Sequence, residues 1–201
     1  MSDGTDEIPE RLAHVTEKVD KMLVGTIVML GQEKEALAEV SSLYEMTYPR
    51  LAATPDQVEE AEQRVGFQFD DLHRRLLMFA NGWYRMALSR HLLPTEAFGT
   101  PGLWQDSLDH LEIFFEEAGD DPRFADLHRA YPIATNDQTD DIFLVRHDGP
   151  LIDGGHEVIW FADDIVHVFS NVIDWMLAMK SDVATMRELE AKEADSSSNS
   201  E

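Results

Sequence analysis

The chain has no cysteine, which excludes disulfides, thiolate nucleophiles and cysteine-based zinc sites. It also lacks the short signatures of catalysis and nucleotide binding. There is no GxGxxG or P-loop, no HExxH to set two histidines on one helix face, and no GxSxG elbow. Ser89, Ser107 and Ser170 have no recognisable base arranged near them in sequence. Long hydrophobic runs are missing too. The longest, Met22 to Leu30, is about half the ~20 residues a bilayer span needs, and Gly25 interrupts it. The opening MSDGTDEIPE is acidic and polar, unlike a signal peptide, so a soluble cytoplasmic protein is expected. Positive charge is the scarcest commodity: 16 Lys and Arg stand against 40 Asp and Glu, a formal net charge of −24. Such a field repels nucleic acid and anionic membranes, so neither is an expected partner. It attracts cationic partners, basic proteins above all, although it equally serves solubility.

What is present begins with an ordinary apolar fraction, 43% of 201 residues, enough for one domain core. The clearest local grammar runs from Thr54 to Trp83. Thr54 is a good N-cap, Pro55 pre-sets the first helical φ, and Gln57 completes a capping box. Val58, Ala61 and Val65 follow at helical spacing, with Glu59, Glu60, Glu62 and Gln63 opposite. Gly66 stands where a left-handed residue stops the helix. Phe67 and Phe69 read as core anchors, and Asp70 as the cap of a second helix. Its apolar face holds Leu72, Leu76, Leu77, Phe79 and Ala80, with Arg74 and Arg75 exposed. Asn81-Gly82 ends it.

Elsewhere the lead before about Ile8 reads as disordered. A helix is expected over Pro9–Leu23, an apolar segment to Leu30, and a helix over Glu33–Tyr44. His91–Gly102, with two prolines and two glycines, reads as loop. Leu103–Ala118 is a strong helix, with Leu103, Trp104, Leu108, Leu111 and Phe115 on its apolar side. The period then changes. Ile133–Thr135, Ile142–Val145, Val158–Phe161 and Val166–Phe169 read as antiparallel strands joined by polar turns. Ser170 is a candidate cap for a closing helix bearing Val172, Ile173, Met176 and Leu177. The pattern turns polar past Ser181. Helices, about four or more short strands and a closing helix define an α+β class. FDDLHRR at Phe69 and FADLHRA at Phe124 read as two similarly built helix starts.

This order of parts resembles the SUKH superfamily, shared by fungal cell-wall-synthesis regulators and many bacterial immunity proteins. Four segments between Leu43 and Met179 carry the resemblance. They are Thr54–Gly82, Tyr131–Asp137, Asp141–Val145, and the strand, serine and helix of Val168–Leu177. The turn after Asn136 departs from the family in lacking glycines, and the segment before Leu43 is longer than the module requires. The resemblance implies a helical extension over 1–42, a SUKH-like domain over 43–180 and a polar, disordered tail over 181–201. It also implies a non-catalytic binding protein, an immunity protein that neutralises a nuclease- or deaminase-type toxin. The alternative is a regulatory or scaffold module with a cellular partner.

The residues that caps and core leave unexplained are acidic. Asp106, Asp109, Glu112, Glu116 and Glu117 share the polar side of the Leu103–Ala118 helix, with Asp120 and Asp121 just beyond. Asp109–Glu112 and Glu112–Glu116 are like-charge pairs at i,i+3 and i,i+4, each costing ~0.2–0.5 kcal/mol of helix stability. Such a face is either simply solvated or completed by a basic partner surface, for which Trp104 and Trp83 are candidate aromatic contacts. A second group, Asp137, Asp140, Asp141 and Asp148 with Asp153 beyond, reads as hairpin turn, partner contact or calcium loop. It lacks EF-hand order, having neither a central glycine nor a bidentate glutamate. The eight histidines form no close pair on one helix face, and His73, His128 and His167 read as surface residues. No metal and no cofactor is expected. An enzyme with a scattered carboxylate site is the weakest class.

Overall fold

The computed structural model describes residues 18–119 and 121–198. Among them are five α-helices: α1 Lys18–Val40, α2 Pro55–Val65, α3 Asp71–Phe79, α4 Leu103–Ala118 and α5 Val172–Ser198. The strands are β1 Trp83–Ala87, β2 Arg90–Leu92, β3 Ala130–Asn136, β4 Ile142–Arg146, β5 Val158–Phe161 and β6 Ile165–Phe169. The class is α+β. All six strands form one antiparallel sheet in the order β1-β2-β3-β4-β5-β6. Each strand pairs with its sequence neighbour, and the excursion between β2 and β3 carries α4.

Two of these strands correct the sequence reading. Trp83 opens β1 instead of lingering at an exposed helix stop, and His91 lies in β2 instead of a loop. Arg90, His91 and Leu92 pair with Asn136, Thr135 and Ala134 of β3. Three residues are too few to show a period of two, so β2 owes its existence to the strand beside it.

The caps form as their residues dictate. Thr54 N–H donates to Gln57 Oε1 at 2.9 Å, and Gln57 N–H donates to Thr54 Oγ1 at 3.3 Å. Gly66 stops α2 at φ 82°, and Asp70 caps α3 by accepting the His73 N–H at 2.7 Å. At α5 the expected cap moves by one residue. Asn171 Oδ1 accepts the N–H groups of Ile173 and Asp174, while Ser170 N–H donates to Asp174. An amide oxygen there satisfies two of the free donors of the first turn, which explains the choice.

The sequence suggests a break at Gly25 and a new helix at Glu33. The structure has one unbroken helix, α1, and the part of the expected first helix before Lys18 lies outside the described residues. Two glycines cost a helix ~1 kcal/mol each, but α1 buries Leu23, Leu30 and Leu37 at intervals of one heptad, each worth ~1.5–3 kcal/mol. Its most extensive packing is against α5. The Trp83 ring comes to 3.9 Å from where a Cβ on Gly31 would stand. The polar stretch past Ser181 is likewise helical through Ser198, with Val183 buried. Glu33 of α1 ties the two helices at 3.4 Å to Lys180 and 3.2 Å to Arg187.

The sheet is covered on both faces. Phe143, Val145 and Val158 join the larger core with α1, α3 and α5, which also holds Trp83 and Trp175. Ile142, Leu144, Ile159 and Phe161 point the other way, against Leu111 of α4 and the Phe124 and Leu127 turns. Three charged or polar side chains expected outside are instead part of this packing. Glu62 is buried, accepts the Phe69 N–H at 2.8 Å and lies 3.3 Å from Arg74. Arg75 is half-buried, 2.7 Å from Asp20 and 2.8 Å from Asp71. His73 is fully buried, shares a 2.9 Å hydrogen bond with the Tyr131 hydroxyl, and packs against Phe69 and Phe98.

Candidate functional site

The helix α4 begins after Gly102, whose φ of 108° no side chain could easily adopt. Its inner side is set by Trp104, Ser107 and Leu111, all buried. That rotation places Asp106, Asp109, Glu112, Glu116 and Glu117 in solvent. None of Asp106, Glu112, Glu116 and Glu117 has an ion-pair partner among the described residues, and Asp109 merely accepts from Gln105 Nε2 at 2.7 Å. Asp121 is different: Arg123 hydrogen-bonds it at 2.8 Å and holds its carboxyl below the usual range. Asp120 lies outside the described residues.

The turn between β3 and β4 divides its carboxylates by role. Asp141 is structural, accepting Trp160 Nε1–H at 2.6 Å, Asn136 Nδ2–H at 3.1 Å and the Thr139 hydroxyl. Asp137 leans toward β1 and β2, 3.2 Å from Arg85 and 3.2 Å from His91. Burial works to raise its carboxyl, but the hydrogen bonds from Arg85 and His91 outweigh it and hold it below the ordinary value. Asp140 is exposed and has no ion-pair partner among the described residues. Asp148 belongs elsewhere, 2.7 Å from Arg129 and 3.7 Å from Arg146.

The fold brings the two acidic groups together. A groove of about 240 Å³ runs between the first half of α4 and this turn, lined by Asp106 and His110 on one side and Thr135, Asp140 and Asp141 on the other. Thr135 sits opposite Ile142 in the β3–β4 register and so faces α4. Its side chain is buried, 5% exposed, and its hydroxyl has no hydrogen-bond partner. A buried hydroxyl left unsatisfied is costly to the fold. His110 Nε2 lies 3.4 Å from Asp163 without hydrogen-bond geometry.

A second groove of about 410 Å³ flanks α4 on its other side, floored by Leu108, Leu111, Phe115 and Leu127 and edged by Glu112 and Glu116. His128 stacks on Phe115 there, ring centroids 3.9 Å apart. Ile113 stands between the carboxylates, 59% exposed, and Leu103 is also exposed. The surface of α4 thus combines free carboxylates, exposed aliphatic groups and two adjoining grooves. Neither aromatic candidate belongs to it. Trp83 is 1% exposed and donates Nε1–H to Thr47 O, and Trp104 is 5% exposed and packs on Phe98 at 5.2 Å. Both are core residues, a correction to their reading as partner contacts.

Chemically, these carboxylates and hydroxyls accept hydrogen bonds from ammonium and guanidinium groups. Among the described residues, no group of three or more His, Asp or Glu side chains is placed to hold a metal ion. None of the described helices is long and apolar enough to cross a membrane. Sequence reasoning missed Thr135 and His110; only the strand register reveals that a polar residue amid apolar ones faces the helix. No protein-family model matches this chain, and a search of curated proteins finds no match.

Proposed function

We propose that this chain is a non-catalytic cytoplasmic binding protein that captures a basic protein surface with the exposed side of α4 and the β3–β4 turn. The observation that carries the reading is the meeting of Asp106, Asp140 and the unsatisfied Thr135 hydroxyl in one groove, beside a ridge of unpaired carboxylates. Charge of this kind accelerates encounter, and the exposed Ile113 and the apolar groove beside it supply the water-excluding contacts that charge alone lacks. The resemblance to the SUKH superfamily supplies the partner class: a secreted toxin of the nuclease or deaminase type, whose substrate-binding face is basic because its substrate is a polyanion. Inhibition then consists of covering that face.

The test pairs this protein with the basic C-terminal domain of a large secreted protein encoded beside it. Wild type is expected to bind and block that domain, with an affinity that falls as salt rises. Reversing Asp109, Glu112 and Glu116 to Lys is expected to weaken binding by roughly 10- to 100-fold, mostly through the association rate. Unchanged affinity and salt dependence would remove α4 from the interface. Binding without loss of toxin activity would favour the scaffold reading.

A further inference from the structure

A cavity of about 220 Å³ lies where the last turns of α1, the chain after it, the β1–β2 hairpin and α5 meet. Its apolar wall is Leu37, Val183 and Met186, and two of the chain's few cations, Lys34 and Arg85, line it as well. Lys34 is 6% exposed. Its ammonium donates to the Arg85 carbonyl and lies 5.9 Å from the centroid of the Trp83 ring. No carboxylate pairs with it among the described residues, in a chain with 40 acidic residues. An ammonium has three donors, and a buried one is left short when a single carbonyl takes one of them.

The backbone around it is set at some cost. Arg85 has φ 46° and Leu88 φ 56°, both in the left-handed region that glycine favours. Arg85 lies where the β1–β2 register shifts, and this turn is what aims its carbonyl at Lys34. The Arg85 guanidinium meets Asp137 through Nε and Nη2, which leaves donor capacity over. Glu45 is the one carboxylate in the lining, and it is exposed to solvent.

We propose that this cavity binds a small organic monocarboxylate with an apolar tail, its carboxylate held by Lys34 and Arg85 and its tail lying on Leu37, Val183 and Met186. The size argues for this class. Pockets for drug-sized ligands and cofactors run from ~300 to ~1,000 Å³, so a nucleotide is too large here. The apolar wall argues against a bare inorganic anion, which would leave it wet. The cavity shares no lining residue with the acidic groove, although Gln138 and the Arg85–Asp137 pair border it on the side of the β3–β4 turn, so hexanoate binding and charge reversal on α4 are read separately.

Hexanoate is the probe, with hexanol as its neutral counterpart and inorganic phosphate as the anion without a tail. Titration calorimetry and amide chemical shifts on the full chain are expected to show hexanoate binding in the millimolar range or tighter. Shifts should centre on Lys34, Arg85 and Val183. Hexanol and phosphate are each expected to bind at least ~10-fold more weakly, as is hexanoate to Lys34→Met, because each lacks one half of the pairing. Lys34→Arg keeps the charge and is expected to retain most of the affinity, which separates loss of the ammonium from loss of the fold. The proposal is overturned by no hexanoate binding, by equal binding of hexanol or phosphate, or by Lys34→Met binding as wild type does.

Discussion

His73 offers a sharp test of how this core is built. It is fully buried beside Phe69, Phe98 and Tyr131, and burial lowers its pKa from 6.5 to about 3. The ring is therefore neutral in the fold at any ordinary pH, while in the unfolded chain it takes up a proton below pH 6.5. The folded pKa is depressed, so the stability this histidine confers is complete above pH 6.5 and drains away as pH falls toward 3. Between pH 7.5 and 5.0 the loss from this one group is ~2 kcal/mol, at 1.36 kcal/mol per unit below the unfolded pKa. Replacing His73 by Phe keeps an aromatic ring in place and removes the titration. It also strands the Tyr131 hydroxyl, at a cost of ~1–3 kcal/mol that is the same at both pH values. Urea unfolding of both proteins at the two pH values reads the difference directly. Wild type is expected to lose ~2 kcal/mol more than the variant, a midpoint shift near 1 M urea for a slope of ~2 kcal/mol/M. Other titrating groups, such as Asp70 with its burial-raised carboxyl, act in both proteins and cancel. Equal losses in the two proteins would mean that His73 is protonated in the fold and that its burial is misread.

Two further outcomes test the cap of α5 and the acidic ridge. Asn171→Ala removes the Oδ1 that accepts from Ile173 and Asp174, and the Nδ2–H donated to Ile152 O. It is expected to cost ~1–2 kcal/mol in thermal or urea unfolding. Ser170→Ala, which alters no cap, is expected to be near neutral; the reverse ranking would restore Ser170 as the cap. Glu112→Lys turns two like-charge pairs, with Asp109 and Glu116, into attractive ones. It is expected to raise stability by ~0.5–1 kcal/mol at low ionic strength, and less at high salt. A loss of stability would show that the ridge is already balanced within the molecule.

What could be read in advance followed from local chemistry. The capping box at Thr54, the stop at Gly66 and the cap at Asp70 depend on neighbours within a turn, and each stands as its residues dictate. The four later strands stand out as short β-branched or aromatic runs between polar turns. What could not be read depended on distant partners. FDDLHRR and FADLHRA differ by two residues, yet the first begins α3 with His73 buried under the sheet, and the second makes two short 3-10 turns with His128 outside. The Phe and Leu are buried in both, but only the first copy is an α-helix start, and its His73 lies inside instead of on the surface. Asp70, absent from the second copy, supplies the cap that lets the first continue as an α-helix. The continuity of α1 across Gly25 was equally hidden, because the partner that chiefly covers that stripe, α5, lies more than a hundred residues away. The meeting of Asp106 with Asp140 arises from the register of β3 against α4, which no local pattern encodes.

The distribution of charge says more than its total. Several arginines of the described residues brace the fold. Arg74 and Arg75 tie α2 and α1 to α3, Arg90 ties β2 to Asp182 of α5, and Arg129 and Arg146 gather Asp126, Asp148 and Glu157 around the start of β3 and the end of β4. Arg64, which has no carboxylate partner among the described residues, spans from α2 to the carbonyls of Thr95 and Phe98. The helix α4 contains no Lys or Arg and five carboxylates, and its one histidine turns toward Asp163. A uniformly acidic, solubilising surface would have mixed cations into this helix as elsewhere, since each i,i+4 pair of opposite sign stabilises it at no cost to solubility. Unpaired carboxylates are not confined to α4, since Asp56, Glu59 and Glu60 of α2 also lack an ion-pair partner among the described residues, but α2 carries Arg64 where α4 carries no Lys or Arg. What distinguishes α4 among the described helices is that its free carboxylates lie beside the groove that Asp140 and Thr135 line, and charge reversal at Asp109, Glu112 and Glu116 tests whether that placement has a partner.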